Sequence, residues 1–298
     1  MTTVPKPVFV SAPAKINLFL HVGDKRTDGY HDLESIAVFT FHDDGVWLES
    51  ADRFSLSISG PYAVGLSNGD DNLALRAARA LADGTGRRDG VRVSLQKMIP
   101  IASGIGGGSA DAAAVLRGLV RLWDLDISAR DLSDVARSVG ADVPACLVSE
   151  ALIMQGLGER ITKLTPFPEF WLLLVNPGVP VSTAEVFRHL ETRRGTGLQF
   201  PAGFGDLRSL CDFLRTTAND LEAPARAIAP VIADVLDELN AADGVLLARM
   251  SGSGATCFAM FSDPEKAKPL FKDLNARHPD WWIILTSLMR PGESKPSR

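Results

Sequence analysis

The chain has 298 residues, 46% of them apolar, enough for one large core or two modest ones, and the usual domain size of about 100–200 residues makes two the expectation. With 22% charged residues, a formal net charge of −5 and no long basic block, the composition argues against nucleic acid or an anionic membrane surface as a partner. Apolar runs such as Trp171–Val175 and Trp281–Leu285 fall far short of the roughly 20 residues that span a bilayer, and Met1–Val8, with Pro5 and Pro7, has no apolar signal core, so the expected location is the cytoplasm.

In chain order, Val8–Val10 and Ile16–Val22 are predicted strands, with Ile16, Leu18 and Leu20 alternating against Asn17, Phe19 and His21. Phe54–Ile58 alternates in the same way, and Asn72–Ala82 is a predicted helix. Val91, Val93 and Leu95 share one face of a strand ending near Pro100. A glycine-rich turn leads into a helix over Ser109–Trp123, whose Leu116, Leu119, Val120 and Trp123 form a stripe at i, i+3, i+4 and i+7. Ala129–Val139 is a second helix and Leu152–Gln155 a short strand. Thr165-Pro166-Phe167-Pro168 is the best linker, beyond which strand Trp171–Val175 opens a second set of elements. Helices near Ala184–Leu190 and Pro230–Asn240 follow, then Ser251-Gly252-Ser253-Gly254 and strand Ala255–Phe261. Strands and helices intermix without strict alternation, so the expectation is two α+β domains, 1–165 and 166–298, rather than a doubly wound parallel sheet. Pro291–Arg298 is expected to be a disordered tail. Cys146, Cys211 and Cys257 show no C-x-x-C spacing and the five histidines no ligand pattern, which predicts reduced, partly buried thiols and no structural zinc.

Pro100-Ile101-Ala102-Ser103-Gly104-Ile105-Gly106-Gly107-Gly108-Ser109 joins a predicted strand to a predicted helix. Four glycines in five residues permit positive φ and let backbone N–H groups approach a ligand with no Cβ in the way. The helix start adds unsatisfied N–H groups and a positive dipole end, a site suited to polyphosphate; a flexible turn before a well-capped helix is the competing reading. Ser109 can cap the helix, bind a phosphate oxygen or sit near Mg²⁺. Asp111 suits the first turn but repels bare phosphate, a conflict relieved if a cation lies between them. No Lys-Ser or Lys-Thr follows the glycines, the Rossmann spacing fails at Ser109, and H-R-D and D-F-G are absent, so the loop belongs to none of those architectures.

Three further segments carry chemistry. In Ser11–Leu18, Lys15 and Asn17 point to one face of a strand, and Lys15 among apolar neighbours requires an anionic partner unless it sits on a solvated edge. In Gly140-Ala141-Asp142-Val143-Pro144, Asp142 is a candidate general base with Lys15 as its counter-charge, against the ordinary reading of a turn or capping aspartate. In Arg26–His31, Tyr30 can stack on a base and His31 can read its polar edge, against a turn that Tyr30 merely packs.

Together these segments resemble the GHMP kinase superfamily, which includes galactokinase, homoserine kinase, mevalonate kinase and phosphomevalonate kinase. Its three motifs match Pro13–Asn17, Pro100–Ser109 and Ser251–Ala255 in order, and the likeness covers nearly the whole chain. Ala14–Leu18, Asp28–His31, Asp71-Asn72-Leu73, Gly106–Ser109, Ala141–Pro144 and Asn176-Pro177-Gly178 narrow it to members whose small-molecule substrate carries a cytidine diphosphate group. The resemblance implies an N-terminal ribosomal-protein-S5-like domain, a C-terminal domain completing the cleft, and Mg²⁺-dependent use of ATP with its phosphates on Pro100–Ala110. It implies that Asp142 takes the proton of a substrate hydroxyl, that Lys15 keeps Asp142 ionised, that Tyr30 and His31 bind cytosine, and that Asn17 and Thr183 position the substrate. Ile101-Ala102-Ser103, where many members have a further glycine, and Ala110, where a second serine is common, depart from the pattern. Mevalonate- or homoserine-type kinases leave Tyr30 and His31 unexplained, and a non-catalytic nucleotide-binding module has no need of both Lys15 and Asp142.

Overall fold

The structure, a computed structural model, describes residues 6–289; the tail expected at 291–298 lies outside them. In chain order come β1 (Val8–Asn17), β2 (His21–Lys25), β3 (His31–Ala51), β4 (Ser55–Ser59), α1 (Leu73–Thr85) and β5 (Gly90–Gln96). Next are α2 (Gly107–Leu122), α3 (Ala129–Val139), α4 (Val143–Val148), β6 (Leu152–Gly156) and β7 (Arg160–Lys163). The remainder is β8 (Trp171–Asn176), α5 (Thr183–Arg188), α6 (Leu207–Arg215), α7 (Glu222–Ile228), α8 (Val231–Ala241), β9 (Leu247–Met250), β10 (Cys257–Phe261), α9 (Pro264–Arg277) and β11 (Trp282–Ser287).

Two sheets organise these elements. The first has seven strands in the order β4-β5-β3-β6-β7, with β1 and β2 also pairing with β3; the second is β11-β8-β10-β9. All pairings are antiparallel except β4 with β5, as expected of an α+β rather than a doubly wound arrangement. The chain leaves the first sheet at Lys163 and enters the second at Trp171, so the Thr165–Pro168 stretch lies in the passage between them.

The burial pattern explains the sequence pattern. Leu172 and Leu174 of β8, with Phe258 and Met260 of β10, pack towards Ile16, Ile36 and Val38 of the first sheet. Leu173 and Val175, with Cys257, Ala259 and Phe261, face the opposite way, onto Ile232, Val235 and Leu239 of α8. A strand buried on both faces reads as a continuous apolar run, which is why 171–175 shows no alternation. On the other side of the first sheet, Val46, Leu48, Val91, Val93 and Leu95 meet the alanine-rich faces of α1 and α2. The predicted stripe of α2 packs here, with Leu116 and Leu119 fully buried.

Some boundaries differ from expectation. β1 is one strand through Asn17, with an irregularity between Pro13 and Lys15, and the predicted strand 16–22 is split, since a new strand starts at His21. α2 starts at Gly107, so the last glycines belong to the helix and not to the turn. Cys146, Cys211 and Cys257 are free and buried, and burial pushes the Cys146 thiol up to about 12. Among the described residues no helix is long and apolar enough to cross a membrane.

Candidate active site

A cleft of about 720 Å³ opens between the two halves and brings together Lys15, Asn17, Asp142, Thr183 and most of the 100–109 loop. Its centre is an ion pair. Lys15, near the end of β1, is buried, and its Nζ lies 2.9 Å from Asp142 Oδ2. The anionic partner that a buried ammonium requires is therefore present. Asp142 stands at the start of α4 but makes no capping hydrogen bond; its carboxylate turns to Lys15 and stays 39% exposed, open to the cleft. Neither ordinary reading, a solvated edge lysine or a capping aspartate, describes these two groups.

The glycine loop wraps the same lysine. Lys15 N–H donates to Ile105 C=O at 3.0 Å, and a Cβ on Gly106 (φ +66°) would sit 3.2 Å from Lys15 Cε. Gly104 (φ +74°) is the other position where only glycine fits, since a Cβ there would meet Ser251 C=O at 2.5 Å. Ser251 secures this contact, its Oγ donating to Gly104 C=O at 3.1 Å and accepting from Asn17 N–H at 3.0 Å. The Ser251–Gly254 turn thus holds the loop against β1. Gly106 is the N-cap of α2 and carries no side chain to cap it, which leaves the first N–H groups of the helix available to an anion at the positive end of its dipole.

The loop residues do not all face the cleft. Ile105 and Ala110 are fully buried, so any ligand contact from them is through the main chain. Ser103 is buried with its Oγ donating to Pro100 C=O at 2.7 Å, while Ile101 is exposed.

Lys97, which the sequence reading passed over, lies under the loop. Its Nζ pairs with Asp44 and, at 2.7 Å, with Asp111 Oδ2, and all three side chains are buried. Asp44 Oδ1 also accepts from Ile99 N–H at 2.9 Å. Asp111 therefore has a cationic partner within the protein itself. Burial, opposed by Lys97 and reinforced by Asp44, pushes the Asp111 carboxyl up to about 7, and its Oδ1 has no hydrogen-bond partner. Lys97 is held above the ordinary lysine value despite burial, because it faces Asp111 and Asp44 together.

Elsewhere in the cleft lining, Thr183 Oγ1 shares a 2.7 Å hydrogen bond with Ser253 Oγ, and Asn17 Nδ2 donates to Ser35 Oγ at 2.7 Å. Tyr30 and His31 do not line the cleft. Tyr30 is 65% exposed in the turn between β2 and β3. The His31 ring stacks on Phe187, 5.7 Å between centroids and 24° between planes, and Phe187 lines the cleft. Phe187 is a second residue absent from the sequence reading; its position within predicted helix 184–190 gave no sign of which way it points.

The chain matches two family models, GHMP kinases N terminal domain over residues 72–150 and GHMP kinases C terminal over residues 199–280. The chain is 45% identical over 284 residues to a 4-diphosphocytidyl-2-C-methyl-D-erythritol kinase of Parvibaculum lavamentivorans, covering 94% of this chain and 98% of the relative. It is 50% identical over 275 residues to the enzyme of that name from Cereibacter sphaeroides, covering 91% and 96%. A crystal structure of 4-(cytidine 5'-diphospho)-2C-methyl-D-erythritol kinase superposes with a TM-score of 0.74 at 32% identity, covering 95% of this chain and 99% of that one. Homoserine kinase from Cytophaga hutchinsonii shares the fold, with a TM-score of 0.72 at 17% identity and coverages of 97% and 96%. The chain has the two-domain GHMP kinase fold and belongs to the 4-diphosphocytidyl-2-C-methyl-D-erythritol kinase family of GHMP kinases.

Proposed function

We propose that this chain transfers the γ-phosphoryl group of ATP to the 2-hydroxyl of 4-diphosphocytidyl-2-C-methyl-D-erythritol, a step in non-mevalonate isoprenoid precursor synthesis. The observation that carries the reading is the Lys15–Asp142 pair, set at 2.9 Å beside an uncapped helix N-terminus. Asp142 accepts the proton of the 2-hydroxyl as its oxygen attacks the γ-phosphorus and the bond to ADP breaks. Lys15 orients that carboxylate and offsets charge on the moving group, while the loop from Pro100 to Ala110 holds the phosphates. Among the described residues no group of three or more His, Cys, Asp or Glu forms a metal cage. Mg²⁺ is ordinarily bound by one or two protein oxygens together with substrate phosphates, and would supply charge neutralisation when bound. Residues 1–165 serve as the ATP-binding half, and 166–298 complete the cleft through Thr183, Phe187 and Ser253. The direct test is ADP release with the cytidine-bearing alcohol, mevalonate and homoserine in parallel. Turnover with the first alone supports the reading, and preference for either of the others overturns it.

Cytosine recognition falls to the aromatic group at the β2–β3 turn. His31 stacked on Phe187 presents a ring edge and a ring face, and Asn17 and Thr183 lie nearer the reacting end. Tyr30 is too exposed to be packing the turn, and its N–H donates to Asp28 Oδ1 at 3.1 Å. Tyr30→Ala is expected to weaken the cytidine-bearing substrate by about 1–3 kcal/mol, the usual loss of one base–aromatic stack, with ATP affinity and Tm unchanged. Equal losses for both ligands, or a lowered Tm, would remove Tyr30 from recognition.

A further inference from the structure

Arg117 projects from the middle of α2 and spends its guanidinium on main-chain carbonyls. Nη1 donates to Cys146 C=O at 2.6 Å, and Nη2 donates to Ser11 C=O at 2.9 Å. Longer contacts from Nη1 reach Leu147 C=O at 3.4 Å and Ser149 Oγ at 3.3 Å. Among the described residues no carboxylate pairs with it, and burial pushes this arginine down to about 10.

The two carbonyls it joins belong to the elements that carry the ion pair. Ser11 lies on β1, four residues before Lys15, and is paired there with Gly45 of β3. Cys146 lies one helical turn after Asp142, and its N–H donates to Asp142 C=O at 3.1 Å. A short covalent and hydrogen-bonded path therefore runs from the Asp142 backbone through Cys146 and the guanidinium to β1. Gly118, the next residue, brings α2 close enough to the sheet for this span: a Cβ there would overlap Leu48 Cδ1 at 2.2 Å. The two Nη groups of a planar fork can hold carbonyls on two sides at a fixed separation, which a single ammonium on a flexible stem does not.

We infer that Arg117 is a positioning residue, fixing the distance between β1 and α4 and so between Lys15 and Asp142. This rests on the proposed roles of those two groups, and Arg117 itself does not line the cleft. A displacement of about 1 Å at a reacting group can cost roughly 10²-fold in rate. Arg117→Lys keeps the charge and loses the span, so kcat per ATP-binding site is expected to fall about 10²-fold. The Kd for ATP and the KM for the alcohol should move by less than about threefold.

The deciding measurement is a double-mutant cycle with Asp142→Asn. If Arg117 acts through Asp142, adding Arg117→Lys to Asp142→Asn costs little more. Arg117→Gln, a neutral donor, supplies a second sample, and counting ATP-binding sites removes any misfolded fraction. Near-wild-type kcat per site in both single variants overturns the inference, as does a fully additive loss in the double variant. Wild-type turnover of Asp142→Asn alone would instead overturn the catalytic reading on which the inference stands.

Discussion

Asp142→Asn is expected to lower kcat by roughly 10²–10⁴-fold, the usual contribution of a positioned acid–base group, with ATP affinity close to wild type. Asparagine nearly matches the size of aspartate and keeps an oxygen to face Lys15, so the 2.9 Å contact has a neutral successor and the geometry of α4 is preserved. What it cannot do is accept the proton. The carboxylate makes no capping bond to α4, so its replacement removes no helix-end hydrogen bond. The loss should accordingly fall on the chemical step. Single-turnover quench measurements with saturating ATP isolate that step from product release, and circular dichroism confirms the fold. A variant that retains a wild-type single-turnover rate would mean that proton transfer to Asp142 is not part of the mechanism.

The elements readable in the sequence were those buried on one face or bounded by strong stop signals. α3 matches its predicted span, since Ser128 caps it at Asp131 N–H and Gly140 ends it. β3 is absent from the sequence analysis, and its 21 residues contain His42-Asp43-Asp44-Gly45, with residue types that are depleted in strands. In the structure Asp44 is fully buried as a counter-charge to Lys97, and Gly45 makes room for the Trp47 ring, 2.8 Å from where its Cβ would be. Both exceptions have tertiary causes that no local pattern records. The same holds at the site. Lys15 and Asp142, 127 positions apart in the numbering, were connected by charge logic and by family resemblance, whereas Lys97, Phe187 and Arg117 sit in unremarkable stretches. What distinguishes these three is the set of groups that folding brings to them: two buried carboxylates, a histidine ring and two backbone carbonyls.

Lys97→Met should be the most destabilising single change among the charged groups near the cleft. It leaves Asp44 and Asp111 buried without their shared cation, and breaking a buried pair by removing one partner costs about 3–5 kcal/mol. For units of 150–250 residues each kcal/mol lowers Tm by roughly 2–4 °C, so a fall of about 6–20 °C is expected. Asp111→Asn behaves differently, because burial and Asp44 already raise that carboxyl to about 7 against the pull of Lys97. A carboxyl whose folded-state value lies above its unfolded value of about 3.9 binds its proton more tightly when folded. Its contribution to stability is therefore largest below about pH 4 and declines as pH rises to about 7, beyond which it changes no further. Asp111→Asn removes the group that titrates, and with it that decline. Denaturant midpoints at pH 4.5, 6 and 8 should show wild type losing ground to Asp111→Asn as pH increases, with most of the change complete by pH 8. Parallel profiles would show that Asp111 is ionised in the folded protein throughout, so that Lys97 compensates both carboxylates fully; in that case Asp111→Asn should also be the less stable protein at every pH.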